Sequence, residues 1–132
     1  MRFLSALLAL LGLAICQPLL AADAVDLPKI EIFMPSPCLA CIDWGAYLAE
    51  NGFKVSYRET EDMAAIKKRW RVPPAVQSTH TAVIAGYFVE GHAHAEDIHE
   101  LLRDKPKARG IAVPGLPRGA PGRELSNPTC ET

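Results

Sequence analysis

Short apolar blocks alternate with helical repeats along the chain, and the blocks predict four strands. Residues 29–33 (KIEIF) are apolar and β-branched, as is typical of a buried strand. Residues 53–57 (FKVSY) alternate apolar and polar side chains, which predicts a second strand. Residues 75–91 contain two apolar runs around Ala85-Gly86, which predicts an antiparallel hairpin.

The segment between the first two predicted strands has the spacing of a helix. Ser36-Pro37 predicts its start, with serine as the cap and proline at the first helical position. Asn51-Gly52 predicts its end. Its apolar positions are Ala40, Trp44, Tyr47 and Leu48.

Two further helices are predicted, each with one apolar stripe. The second helix begins near Thr60 or Asp62, either of which can cap it, and ends before Pro73-Pro74. The third covers residues 95–102. The stripes are Met63, Ile66 and Trp70 in the second helix, and Ile98, Leu101 and Leu102 in the third.

The element order β-α-β-α-β-β-α predicts an α/β fold of the thioredoxin-like class, with a four-stranded mixed sheet. In that fold a C-x-x-C pair begins the first helix, and a proline precedes the third strand. Cys38 and Cys41 occupy the first place, and Pro73 is assigned to the second as a cis proline. The predicted domain spans residues 28–104, and residues 105–132 are a Pro/Gly-rich wrapped loop or tail.

The first residues predict export. Arg2 precedes an apolar run over residues 3–15, and small residues follow, so residues 1–22 are interpreted as a signal peptide cut after Ala22 or Ala24. The run is shorter than the roughly 20 residues that a membrane span needs. We therefore expect a periplasmic protein with no membrane segment after cleavage.

The balance of charged residues argues against one class of partner. With 14 Lys and Arg against 15 Asp and Glu, the formal net charge is -1, which argues against nucleic acid as a partner. The longest cationic cluster is interpreted as a solvated helix face. It consists of Lys67, Lys68, Arg69 and Arg71.

The cysteine pair supports three chemistries. Cys38 and Cys41 are neighbours on the first helical turn, where unpaired backbone N–H groups favour a thiolate. A thiolate attacks disulfides and also binds soft metals, whereas in an oxidising compartment the same pair also forms a structural disulfide. Cys130 lies two residues from the C-terminus and fits a free thiol, an intermolecular disulfide or a tail residue without a role, and the last is the favoured interpretation.

Two histidines favour a metal site. His80 begins the third predicted strand and His92 ends the fourth, so the hairpin brings them near each other and near the cysteines. Two Cys and two His form a plausible four-donor site for copper or zinc. Met34 is a further candidate ligand, although a core methionine is the simpler interpretation. Each histidine alone is more often a surface residue, and His99 is expected to face solvent.

Long stretches of the chain resemble the CopG-like family, a family of exported bacterial metal-binding proteins found in copper-resistance clusters. The resemblance rests on the C-x-x-C-x-x-W motif at 38–44, on NGFKV at 51–55, and on VPPAVQSTHTAVIAGYFVEGH at 72–92. It continues through AEDIHELL at 95–102 and KARGIAVPGLPRGAPGRE at 107–124. The resemblance implies a thioredoxin-like fold and the handling of copper outside the cytoplasm.

Four soft donors of the family pattern are replaced in this chain. The pattern has cysteine where this chain has Ala40 and Thr79, and methionine where it has Leu116 and Arg123. Two thiolates are too few for a multinuclear copper cluster, so the resemblance implies a mononuclear site or a simple dithiol.

The sequence therefore predicts a periplasmic protein that binds a soft metal, most simply Cu(I), with zinc as the other candidate. Cys38 and Cys41 are the expected thiolate ligands, completed by His80 and His92. The first alternative is a thiol–disulfide oxidoreductase without a metal, in which the cysteines are catalytic and the partner is a protein thiol or disulfide. The second is a partner-binding module with a structural disulfide.

Overall fold

The computed structural model describes residues 26–122, so the predicted signal peptide and Cys130 lie outside the described residues. The helices in this part of the chain are too short or too polar to cross a bilayer. The strands are β1 (Ile30–Met34), β2 (Val55–Glu59), β3 (Thr81–Ile84), β4 (Tyr87–Glu90) and β5 (Gly110–Ala112). The helices are α1 (Leu39–Glu50), α2 (Met63–Arg69) and α3 (Ala95–Asp104), with a 3-10 helix at Pro74–Val76.

The strands form one mixed sheet in the order β2-β1-β3-β4-β5. β1 and β2 are parallel, and β3 is antiparallel to both of its neighbours, β1 and β4. This arrangement confirms the predicted thioredoxin-like α/β fold. A two-residue turn at Ala85-Gly86 joins β3 to β4, and both residues have positive φ (48° and 85°), as a type I′ hairpin turn requires.

The sheet has a fifth strand that the sequence did not predict. β5 lies within the Pro/Gly-rich segment and pairs in parallel with β4, with Val89 opposite Ile111. A Cβ at Gly110 would collide with the Phe88 carbonyl oxygen, so the close pairing requires glycine there. Three residues are too few to show an alternating pattern, and the edge of β4 supplies their hydrogen bonds.

The start of α1 differs from the prediction. Cys38, not Ser36, is the N-cap residue, and its carbonyl accepts the first helical hydrogen bond from Ile42 N at 3.2 Å. The cis peptide bond of the described residues lies at Ser36–Pro37. The helix therefore begins between the two cysteines rather than before them.

The prediction of a cis Pro73 is wrong. Pro73 has φ -62° and ψ 138° and precedes the 3-10 helix, whose Val76 N–H donates to the Pro73 carbonyl at 3.0 Å. Residues 74–80 separate this proline from β3, and it does not line the cavity at the cysteines. The proline pair starts a helical turn, where the fixed φ of a proline fits without a cis bond.

Helix α2 is capped by Asp62, as predicted, through a bond from Ala65 N to Oδ1 at 2.9 Å. Its packing differs from the prediction, because its buried residue is Lys67 whereas the apolar stripe is half-buried. The interpretation of Lys67 as part of a solvated face is therefore wrong. Its ammonium group pairs with a carboxylate from β4, which local periodicity cannot show.

The core lies between the sheet and helices α1 and α3. Trp44, Leu48 and Ile98 are fully buried in it. His99 is half-buried rather than fully solvent-facing as expected, and its ring lies 4.6 Å from the Phe53 ring. Met34 is also buried in this core cluster.

Candidate functional site

The topology brings both cysteines and two histidines to one edge of the sheet. The cysteine loop follows the carboxyl end of β1. Because β3 is antiparallel to β1, with Thr81 opposite Phe33, the start of β3 lies at that same edge. Thr81 also pairs with Glu90, so the end of β4 lies there too. His80 and His92 flank these strand ends, as the sequence predicted from the hairpin.

Cys38 and Cys41 form a disulfide, with Cα atoms 5.3 Å apart. Cys38 at the helix cap is 8% exposed, and Cys41 inside the first turn is 1% exposed. Sulfur in a disulfide is not a thiolate, so in this oxidised state neither cysteine can bind metal. Reduction of the bond is required before either sulfur becomes a ligand or a nucleophile.

His80 is buried and neutral, with a defined tautomer. Burial, and to a smaller extent the adjacent His92, lower its pKa to about 3, so the imidazole carries no charge near neutral pH. Its Nε2 lies 3.2 Å from the Gly91 carbonyl oxygen. A carbonyl only accepts, so Nε2 carries the proton and Nδ1 carries the lone pair. A neutral imidazole with a fixed lone pair is a ready metal ligand.

His92 is positioned by the Pro/Gly-rich segment. Its Nδ1 donates to the Pro121 carbonyl oxygen at 2.8 Å, which places the lone pair on Nε2. Its ring centroid lies 5.5 Å from that of His80. Both rings stack on Trp44, at 4.7 Å for His80 and 5.9 Å for His92. Trp44 itself is fixed by its Nε1 bond to the Ala93 carbonyl oxygen at 2.9 Å.

A cavity of about 470 Å³ opens over these groups. The predicted ligands that line it are Cys38, Cys41, His80 and His92. Three replaced positions of the family pattern line it as well, namely Ala40, Thr79 and Leu116. Met34 does not line it and packs in the core instead. Between residues 26 and 122, no group of three or more His, Cys, Asp or Glu has the geometry to hold a metal ion. The two sulfurs that line the cavity are joined to each other in this state.

Below the cavity lies a buried ion pair that the sequence analysis missed. Lys67 Nζ donates to both oxygens of Glu90 at 3.1 and 3.0 Å, to Thr81 Oγ1 at 2.9 Å and to the His80 carbonyl oxygen at 3.2 Å. Lys67 lies four residues after Met63 and three before Trp70, on the predicted apolar stripe. A lysine on that stripe was the available signal for a buried partner.

Ser78 connects this ion pair to the histidines. Its backbone N–H and its hydroxyl both approach Glu90 Oε2, at 2.7 and 2.8 Å, and its hydroxyl also lies 2.8 Å from the His80 carbonyl oxygen. Gly91 N donates to Ser78 Oγ at 2.9 Å. Because the Gly91 carbonyl holds the His80 ring, the network fixes the loop that presents this imidazole to the cavity.

The fold and site define a small thioredoxin-like protein with a disulfide-bonded C-x-x-C and two histidines that each stack on Trp44. A family model described as a protein of unknown function, DUF411, matches residues 76–123. Two solved structures, forms 1 and 2 of a copper resistance protein CopG, match with TM-scores of 0.69 and 0.70. Each is 44% identical, and each match covers 74% of this chain and 77% of the other. No curated protein matches. The chain belongs to the CopG-like copper-resistance family, as its sequence motifs indicated.

Proposed function

We propose that this chain acts in copper resistance, as a periplasmic protein that binds Cu(I) once its disulfide is reduced. Cys38 and Cys41 would supply thiolates, and His80 Nδ1 a neutral nitrogen, with His92 as the fourth donor. The observation that carries the proposal is the convergence of the cysteine pair and both imidazoles on one cavity. Thiolate and imidazole are ligands that suit Cu(I), and zinc is the competing metal for the same donors.

The surroundings of the histidines support a ligand role. Carbonyl oxygens of Gly91 and Pro121 hold one nitrogen of each ring, which orients the other and raises its basicity. The low pKa of His80 means that no proton competes for its Nδ1 near neutral pH. Metal binding at this nitrogen therefore requires no deprotonation.

The cavity wall favours a single ion. Ala40, Thr79 and Leu116 line the cavity, and none of them carries a donor that binds Cu(I). These are positions where the family pattern has cysteine or methionine. Two thiolates without bridging partners fit one copper ion per chain rather than a cluster.

Titration of the reduced protein with Cu(I) against a competing chelator tests this proposal. We expect one ion per chain, and a loss of affinity of more than about 100-fold in the Cys38→Ser/Cys41→Ser variant, beyond the range for outer-shell residues. Cys130→Ser is the matched control and should bind as the wild type does. Equal affinity of the double variant and the wild type would refute the proposal. If the protein retains zinc in preference to Cu(I), zinc is the metal of the site.

A second candidate function is thiol–disulfide exchange. It is favoured by the disulfide itself and by the greater exposure of Cys38 than Cys41, which suits an attacked sulfur and a resolving sulfur. Pro73 lines a neighbouring cavity and not the cavity at the cysteines, so it does not lie beside the disulfide as the sequence predicted. An exchange-active pair should have a reduction potential above about -300 mV, the upper bound typical of structural disulfides. A lower value would leave the disulfide as a structural staple.

A further inference from the structure

Three of the four large exposed apolar side chains of the described residues lie next to a cysteine in the chain or line the cysteine cavity. Leu39 lies between the two cysteines and is 73% exposed, and Ile42 follows Cys41 and is 43% exposed. Leu116 is 39% exposed and lines the cavity at the cysteines. The remaining one, Tyr57, donates its hydroxyl to the Ile42 carbonyl oxygen at 3.2 Å. We call Leu39, Ile42 and Leu116 the apolar rim.

A second cavity, of about 570 Å³, adjoins the first and shares Gln77 with it. Lys68, Arg71 and Arg109 line it, and we call these three residues the cationic flank. No Asp or Glu lines this cavity, and the sequence has none between Met63 and Val89.

The charges of the cationic flank are not neutralised within the described residues. Its three side chains are exposed and form no salt bridge there. Lys67, which lines the same cavity, is neutralised by Glu90. The chain as a whole is slightly acidic, so the positive charge of this flank is a local feature. It makes the flank a region of positive potential that borders the cysteine cavity at Gln77.

We propose that the apolar rim and the cationic flank together receive an acidic segment of a partner protein that presents a thiol to Cys38. This inference rests on the proposed function, because it names the reductant that would open the disulfide for copper. The rim would bury apolar side chains beside the partner's cysteine, and the flank would attract carboxylates next to it. A surface that is apolar around the sulfur and cationic beside it complements a protein segment that has apolar side chains around its cysteine and carboxylates next to them.

The reaction balances as two thiol–disulfide exchanges. The partner's thiolate attacks Cys38 Sγ, the Cys38–Cys41 bond breaks, and Cys41 leaves as a thiolate. A second partner thiolate then attacks the partner sulfur of the mixed disulfide, which forms a partner disulfide and releases Cys38 as a thiolate. Two electrons pass from the partner to the cysteine pair, and both thiolates are then available to Cu(I).

Synthetic peptides with a single cysteine provide the test. One peptide has glutamates beside the cysteine, a second has lysines, and a third has glutamines. Loss of the protein disulfide is followed by mass spectrometry after acid quenching. Rates are normalised to each peptide's rate with a neutral small disulfide, since flanking charge changes thiol reactivity. We expect the acidic peptide to react about tenfold faster than the basic one at low salt, and the difference to vanish near 1 M salt.

Charge-reversal variants show which residues cause the preference for the acidic peptide. Lys68→Glu/Arg71→Glu should abolish or invert the preference for the acidic peptide. Lys29→Glu/Lys105→Glu changes net charge equally at the other end of β1 and should leave the preference intact. Equal normalised rates for the three peptides, or no reduction by any of them, would overturn the inference. Cu(I) binding by chemically reduced protein would survive that result, so failure here is distinct from failure of the proposed function.

Discussion

Replacement of Lys67 by methionine is expected to lower the free energy of unfolding by about 3–5 kcal/mol, the usual cost of removing one partner of a buried ion pair. Lys67 and Glu90 have side chains that are 8% and 0% exposed, with Nζ 3.0 Å from Oε2. Methionine fills similar space but leaves the Glu90 carboxylate without its cation, far from water. Denaturant unfolding of the disulfide-bonded protein measures the change.

Lys68→Met is the matched control, because Lys68 is the neighbouring residue on the same helix and is exposed. We expect it to change stability by no more than about 0.5 kcal/mol. The Lys67→Met/Glu90→Gln double variant should lose clearly less than the sum of its two single changes, because removal of the second charge relieves the cost of the first. If Lys67→Met is as stable as Lys68→Met, the ion pair does not stabilise the fold.

The Lys67→Met variant should also disturb the position of His80. Glu90 accepts hydrogen bonds from Ser78, and Ser78 accepts the N–H of Gly91, whose carbonyl holds the His80 ring. Loss of Lys67 therefore removes one anchor of the loop that presents His80. The ion pair links the stability of the fold to the position of a candidate ligand.

The parts of the site that the sequence predicted depend on short-range patterns. A two-residue turn at Ala85-Gly86 fixes the register of the hairpin, and the register alone places His80 and His92 at the same edge. The C-x-x-C spacing places both sulfurs on one helical turn. Apolar periodicity was sufficient for the order of β1 to β4 and the three helices, and β1 shows the alternating burial that its sequence predicted.

The parts that it did not predict depend on distant partners. The position of Lys67 on the apolar stripe signals burial, but its partner Glu90 comes from β4, 23 residues away, and no local pattern identifies that partner. β5 exists because β4 offers a free edge to three residues of a Pro/Gly-rich segment. Pro73 has a sequence context that fits either a cis bond or a helix start. In the structure it is the N-cap residue of the 3-10 helix.

Gly122→Ala is expected to detach the end of the Pro/Gly-rich segment from the site and to cost about 2–4 kcal/mol. Gly122 has φ 73°, which an alanine adopts only with strain, and a Cβ there would lie 2.5 Å from both Cα and N of Trp44. These are backbone atoms on the buried side of α1, so the segment has to move instead. Its displacement would break the bond from His92 Nδ1 to the Pro121 carbonyl.

Gly119→Ala separates the clash from the backbone strain. Gly119 has φ 79°, but nothing lies within 4 Å of its Cβ position, so we expect about 1 kcal/mol from the left-handed backbone alone. Unfolding free energies of the two variants give the difference, and the rate of tryptic cleavage after Arg118 reports on detachment. Faster cleavage in Gly122→Ala alone is the expected result. Equal stability and equal cleavage would mean that the segment does not depend on its contact with Trp44, and that His92 is held in place by other contacts.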